Sequence, residues 1–168
     1  MNATSLPEMR EWLRRIDYTP SDLNTLNMIH VTGTKGKGST CAFVTSILQQ
    51  LFPQQKVGLF TSPHLKAVNE RIQVNSVPIS EDLFARYFWE VWDRLENSAV
   101  KEGVDKTKKP VYFRFLTLMA WHAFLDMKVI HLKRKIETDC RSILLSSRSA
   151  LVENMTLRIL SRNLLARV

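Results

Sequence analysis

The chain has 168 residues, of which 45% are hydrophobic and 24% charged, and its net charge at pH 7 is +8. This size and composition are typical of one globular domain with a buried core, and no apolar run is long enough to predict a membrane span. Residues 130–168 carry eight of the 24 basic side chains but three of the 16 acidic ones, so the basic excess does not indicate nucleic-acid binding by the rest of the chain.

The first half of the chain predicts a βαβ unit. Pro7–Ile16 has apolar residues at helical spacing and acidic residues early, which predicts a short helix. Leu26–Thr32 predicts a buried strand, Ser39–Leu51 a helix, and Val57–Phe60 a second short strand. We expect the two strands to pair in parallel, because a helical crossover connects them.

The next segments predict a hairpin followed by two helices. Glu70–Val74 and Val77–Ile79 are short apolar runs separated by two turn residues, which is typical of a hairpin. Ser80 is the predicted N-cap of a helix that runs to about Asn97. Phe113–Met127 is strongly apolar and predicts a buried helix.

The character of the chain changes after Val129. Residues 130–168 contain no glycine and no proline, whereas an α/β fold needs such turn residues between its elements. The leucine spacing in Thr138–Val168 is compatible with one or two amphipathic helices. We therefore predict a basic, helical or disordered tail at residues 130–168 that does not continue the domain formed by residues 1–129.

The most informative segment is the glycine-rich loop Val31–Thr40, which lies between the first strand and the following helix. Its three glycines allow a sharp turn that brings backbone N–H groups against phosphate oxygens. Lys37 supplies a mobile positive charge for the outer phosphates, and Ser39 or Thr40 offers a hydroxyl to a magnesium ion. Only two residues separate the first glycine from the Gly-Lys pair, fewer than in the common GxxxxGK[ST] loop. The alternative interpretation is a glycine-rich turn without a ligand.

Three motifs carry a family resemblance. They are His30–Thr40, Thr61–Leu65 with Glu70–Ile72, and Tyr112–Ala120. On these motifs the segment from Met28 to Met127 resembles the folylpolyglutamate synthases, which are Mur-ligase-like ATP-dependent ligases, and residues 6–27 are similar to the family's N-terminal helix. The resemblance implies an α/β fold for residues 1–129: a P-loop-containing, Mur-ligase-like central domain with a parallel sheet.

The resemblance also implies an activity. Members of this family add L-glutamate to the γ-carboxyl of tetrahydrofolate, and they do so through an acyl phosphate made with ATP and Mg²⁺. The implied partners of this chain are a reduced folate and L-glutamate as substrates, with no nucleic acid. A monomer is expected, in the cytoplasm or the mitochondrion.

The site residues implied by the resemblance fall into four groups. Lys37 is the expected catalytic residue, since it would balance charge on the transferring phosphate. Ser62 and Ser39 are the expected magnesium ligands, and His64 and Arg71 are candidate substrate residues. The expected ATP-binding residues are Gly33, Thr34, Lys35, Gly36, Lys37, Gly38, Ser39 and Thr40.

Each residue of the second motif has an alternative role. Ser62 precedes a proline, where a serine commonly caps a turn. His64 is expected to shape its loop rather than to act as an acid or base. Arg71 has as its alternative a partly buried ion pair with Glu70 or another acid.

The resemblance ends after Val129. The family continues there with a glutamate- and glycine-rich motif that binds magnesium, whereas residues 130–136 contain no Glu-x-Gly-x-Gly pattern. An in-line phosphoryl transfer needs its metal held on more than one side, so we expect little or no ligase activity from this chain alone. Two other functions stay open: nucleotide binding without catalysis and, less favoured, a basic surface that binds nucleic acid or membrane through the tail.

Overall fold

The computed structural model describes residues 5–129 and 156–159, which form a mixed α/β arrangement. The helices are α1 (Ser5–Arg15), α2 (Pro20–Leu23), α3 (Lys37–Leu51), α4 (Glu81–Glu102) and α5 (Tyr112–Asp126). The strands are β1 (Ile29–Thr32), β2 (Gly58–Phe60), β3 (Ile72–Val74), β4 (Val77–Pro78) and β5 (Thr156–Ile159), and short 3₁₀ segments span Asn24–Leu26 and Val68–Arg71. Within these residues no helix has both the length and the apolar character needed to cross a bilayer.

The core lies where α1, α4 and α5 pack together. Helix α4 buries one face completely, because apolar or aromatic residues recur every fourth position on it. Helix α5 is apolar on nearly all sides and is buried over most of its length. The buried α4 residues are Tyr87, Val91, Leu95 and Ala99.

The ends of α4 show how local signals and packing combine. Ser80 is the N-cap, as predicted, and its hydroxyl accepts a hydrogen bond from the Leu83 N–H at 3.2 Å. The helix continues five residues beyond the predicted end at Asn97. The extension contacts α1 at its last residue: Arg14 donates to both carboxylate oxygens of Glu102 at 2.9 Å.

The strand pairing differs from the prediction. In the described residues the strands form two antiparallel groups, β1 with β5 and β2 with β3 and β4. The predicted parallel pairing of β1 with β2 is therefore wrong for this structure. Strand β2 takes its partner from the segment that directly follows it, and Asn75 and Ser76, with φ of 53° and 65°, close the β3–β4 hairpin. The predicted hairpin is confirmed.

Strand β1 departs from the prediction in its burial. It was expected to be buried, but none of its four residues reaches full burial and His30 is exposed. Its described partner, β5, pairs along it with Ile29 opposite Ile159. The prediction of a helical or disordered tail is thus wrong for Thr156–Ile159, because β1 presents backbone groups that a strand can pair. The rest of that prediction, at 130–155 and 160–168, lies outside the described residues.

Candidate nucleotide-binding site

The glycine-rich loop connects β1 directly to α3. Gly36 precedes the helix with a φ of 75°, and Gly33 has a φ of 153°. Side chains with a Cβ rarely adopt these angles, so the glycines permit the turn. The N-cap residue Gly36 makes no side-chain capping hydrogen bond in the part of the chain that the structure describes, and the first N–H groups of a helix have no partner within the helix. The helix therefore presents uncapped backbone donors and the positive end of its dipole at this loop.

Lys37 lies folded over the loop. Its Nζ donates a hydrogen bond to the Gly33 carbonyl oxygen at 2.6 Å and is 3.4 Å from the carbonyl oxygen of Thr34. These partners are neutral, so within the described residues no ion pair with a carboxylate offsets the ammonium charge. The charge is placed next to the glycine backbone, where it would meet the outer phosphates of a nucleotide.

The outer face of the loop is open. The residues from Thr34 to Ser39 are exposed, and a Cβ built on Gly38 meets no atom within 4 Å. A side chain at position 38 would stand in the space above the first turn of α3. Uncapped donors, an ammonium group and an open glycine face fit a bound phosphate group.

The same residues fit Mg²⁺ only together with phosphate. Ser39 is exposed at the loop, and in the described part of the chain no three His, Cys, Asp or Glu side chains cluster as metal ligands. Mg²⁺ is normally bound by few protein ligands, with phosphate oxygens and water completing the shell. The described residues would therefore supply hydroxyl groups to a metal that arrives with the nucleotide.

A second loop, Thr61–Ala67, follows β2 and carries Ser62. Ser62 is exposed, the Ser62–Pro63 peptide bond is cis, and Leu65 is 93% exposed. Within the described residues the Ser62 hydroxyl has no hydrogen-bond partner, so the alternative role of a capping serine lacks the bond it would need. The hydroxyl is free to contact a ligand.

Glu70 holds the second half of this loop. One carboxylate oxygen accepts a hydrogen bond from the Leu65 N–H at 2.7 Å, and the other accepts from the N–H groups of Lys66 and Ala67 at 3.1 Å. Donation from Leu65 and then Ala67 stabilises the charged carboxylate and lowers the pKa of Glu70. Sequence reasoning considered Glu70 only as an ion-pair partner. The available signal was only half of a capping box: Glu70 lies three residues after Ala67, which lacks the hydroxyl of the Ser/Thr-x-x-Glu pattern.

Arg71 lies against His64 rather than Glu70. Its Nε donates to His64 Nδ1 at 2.9 Å, so neutral His64 carries its proton on Nε2. The alternative of an ion pair between Arg71 and Glu70 is wrong, because the Glu70 oxygens bind backbone N–H groups instead. Arg71 is 8% exposed, and its guanidinium carbon lies 5.7 Å from the Tyr112 ring centre. A buried cation without an acidic partner in the described residues favours an anionic ligand.

An apolar cavity opens beside this second loop. Its volume is about 350 Å³, and it lies between the start of α5 and the first turns of α4. Tyr112 both lines the cavity and faces Arg71. Three aromatic residues of α4, Phe84, Phe88 and Trp92, pack against the core and also line this cavity.

Comparison with known proteins gives a consistent result, although no protein-family model matches the chain. Over 134 residues the chain is 58% identical to a probable folylpolyglutamate synthase of Schizosaccharomyces pombe, which covers 76% of this chain and 26% of that protein. It is 51% identical over 148 residues to the folylpolyglutamate synthase of Saccharomyces cerevisiae, covering 84% of this chain and 25% of that protein. By sequence, this chain is a homologue of the folylpolyglutamate synthases over part of their length. It spans about a quarter of the curated relatives that it matches.

Solved structures agree with the sequence relatives. The Mycobacterium tuberculosis folylpolyglutamate synthase complexed with ADP matches with a TM-score of 0.58 and 28% identity, over 73% of this chain and 27% of that one. The Thermotoga maritima folylpolyglutamate synthase matches with a TM-score of 0.52 and 30% identity, over 74% of this chain and 31% of that one. The expected α/β, Mur-ligase-like fold class is confirmed, with the strand pairing corrected as described above.

Proposed function

We propose that this chain carries the ATP-binding part of a ligase that adds L-glutamate to the γ-carboxyl of tetrahydrofolate. The observation that carries the proposal is the loop between β1 and α3, where an uncapped helix start, two positive-φ glycines and the Lys37 ammonium face open space. The relative from M. tuberculosis is complexed with ADP, which supports nucleotide binding by this chain. The expected ligands are ATP with Mg²⁺.

The proposed reaction has two steps. The folate γ-carboxylate attacks the γ-phosphorus of ATP, so that ADP leaves and an acyl phosphate forms. The amine of glutamate then attacks the acyl carbon, phosphate leaves, and the amine loses a proton as the amide bond forms. Bound Mg²⁺ would neutralise charge on the phosphates.

The roles proposed for this chain's residues follow from their positions. Lys37 and the N–H groups at the start of α3 stabilise the negative charge on the phosphates during transfer. Ser39 and Ser62 offer hydroxyl groups to the metal. Arg71, a buried cation at the rim of an aromatic-lined cavity, binds a carboxylate of the folate or of glutamate, and His64 orients Arg71.

Nucleotide binding without turnover is the second candidate. The sequence after Val129 lacks the Glu-x-Gly-x-Gly pattern of the family, which favours weak or absent ligase activity in this chain. The monomeric state and the cytoplasmic or mitochondrial location are likewise proposals, which gel filtration and cell imaging would test.

The experiment separates these candidates with two measurements. Calorimetry with ATP and Mg²⁺ is performed on the wild-type chain, on Lys37→Ala, and on Lys101→Ala as a control that removes an exposed lysine from the end of α4. We expect binding to the wild type and the control but not to Lys37→Ala. An assay with tetrahydrofolate and labelled glutamate then tests turnover. Equal ATP affinity in all three proteins would refute the proposed site.

A further inference from the structure

The loop Thr61–Ala67 is held in shape by polar contacts rather than by burial. Four of its seven residues, Ser62, Pro63, Leu65 and Lys66, are exposed. An exposed loop with little apolar contact is expected to sample many conformations unless its backbone groups are hydrogen-bonded. The shape of this loop therefore depends on the groups that bind its N–H donors.

Two consecutive residues provide these contacts. Glu70 accepts the N–H groups of Leu65, Lys66 and Ala67 on its two carboxylate oxygens. Arg71 holds the other part of the loop, since its carbonyl oxygen accepts the Thr61 N–H at 3.0 Å and its side chain binds His64. Ser62 lies between the Arg71 contacts at Thr61 and His64.

We propose that Glu70 is a positioning residue: together with the Arg71 contacts at Thr61 and His64, it holds this loop so that the Ser62 hydroxyl meets the divalent cation bound with the nucleotide. The inference rests on the proposed function, because it requires a nucleotide with its metal at the glycine-rich loop. In this proposal Glu70 acts indirectly, because both of its carboxylate oxygens already accept backbone N–H groups. Its effect is exerted through the backbone of residues 65–67.

The chemistry of the contact favours glutamate over glutamine at this position. A carboxylate offers acceptors on both oxygens, and three N–H groups use them here. A glutamine at this position has one acceptor oxygen and an NH₂ group, which would face at least one N–H donor and repel it. Charged acceptors also bind N–H donors about twice as strongly as neutral ones.

The test measures how much Mg²⁺ strengthens nucleotide binding. ATP affinity is determined by calorimetry with Mg²⁺ and again with EDTA, on the full chain and on Glu70→Gln. The matched control is Asp22→Asn. The Asp22 carboxylate accepts the N–H group of Thr19 at 2.7 Å and the hydroxyl group of Thr19 at 2.8 Å, in a turn that carries no proposed site residue. Glu70→Asp is a second variant that keeps the charge but shortens the reach.

We expect Glu70→Gln to lower Mg²⁺ affinity in the nucleotide complex about 10- to 100-fold, as for other residues that orient metal ligands. ATP affinity in EDTA should be unchanged, and the control should keep the full Mg²⁺ enhancement even if it is less stable. Glu70→Asp should give an intermediate loss. A purely structural role would alter stability without altering the ratio of the two affinities.

Two other outcomes are possible, and each would overturn a different claim. Full Mg²⁺ enhancement in Glu70→Gln, or in Glu70→Asp if the glutamine variant does not fold, would overturn the positioning role and leave the proposed nucleotide site standing. A wild-type chain that binds no ATP would overturn the proposed function and this inference together.

Discussion

Substitution of Gly58 by alanine should destabilise the fold by overpacking it. Gly58 lies in β2 opposite Val74. A Cβ at this position would lie 2.8 Å from Val129 Cγ1, and 2.9 and 3.0 Å from Phe124 Cε1 and Cδ1. Carbon atoms in contact normally lie about 3.5–4.0 Å apart, and both neighbours are buried, so they cannot move away without disturbing the core.

The magnitude follows from these distances. Overpacking of a well-packed core costs about 1–3 kcal/mol, and the loss of backbone freedom in the unfolded chain offsets about 0.4–1 kcal/mol of that cost. These two contributions leave a loss of about 0–2.6 kcal/mol. We expect a fall of roughly 1–2 kcal/mol in the free energy of unfolding, because three atoms lie as close as 2.8, 2.9 and 3.0 Å to the added Cβ.

Urea unfolding followed by circular dichroism measures this change. Gly38→Ala is the matched control, because a Cβ there meets nothing within 4 Å, so only the loss of backbone freedom acts and the free energy of unfolding should rise by about 0.4–1 kcal/mol. Adding Val129→Ala to Gly58→Ala removes the nearest clashing atom, so the two changes should couple favourably by about 0.5 kcal/mol or more. Equal stabilities of Gly58→Ala and Gly38→Ala, or strict additivity in the double variant, would refute the packing argument.

Two further predictions concern the helices. Ser80→Ala should lower the free energy of unfolding by about 1 kcal/mol, because the Leu83 N–H loses its side-chain acceptor, whereas Ser80→Asp should retain it; urea unfolding showing equal losses would contradict this. Burial lowers the pKa of His122, which bonds Tyr18 and Glu90 at 2.8 and 2.6 Å. The unfolded chain therefore binds this proton more readily, and stability should fall as pH drops below about 6.5. Unfolding midpoints between pH 7.5 and 5.5 should show this fall in the wild type and a shallower one in His122→Gln.

The parts of the fold that depend on neighbouring residues were predictable. Helix α4 began at Ser80 as expected, since N-capping depends on a serine and the amide three residues later. Helix α3 and the β3–β4 hairpin were predicted for the same reason, because periodicity and turn residues act over a few positions. The glycine-rich loop was likewise predictable, since its glycines, lysine and hydroxyl groups lie next to one another in the chain.

The parts of the fold that depend on residues distant in the sequence were not predictable. Strand β1 was expected to pair with β2, but its described partner is β5, from the far end of the chain. A strand of three or four residues carries little information about its partner, because pairing is decided by whichever segment reaches its edge.

The second loop shows the same division at the candidate site. The sequence by itself determined that Ser62, His64, Glu70 and Arg71 belong to one motif, and its motifs pointed to a nucleotide-dependent ligase family. Only the tertiary structure decided that the Glu70 carboxylate binds three backbone amides and that Arg71 binds His64. The reason is geometric. Opposite charges on adjacent residues suggest an ion pair, but the directions of the two side chains and the donors that compete for Glu70 depend on how the loop folds over these residues.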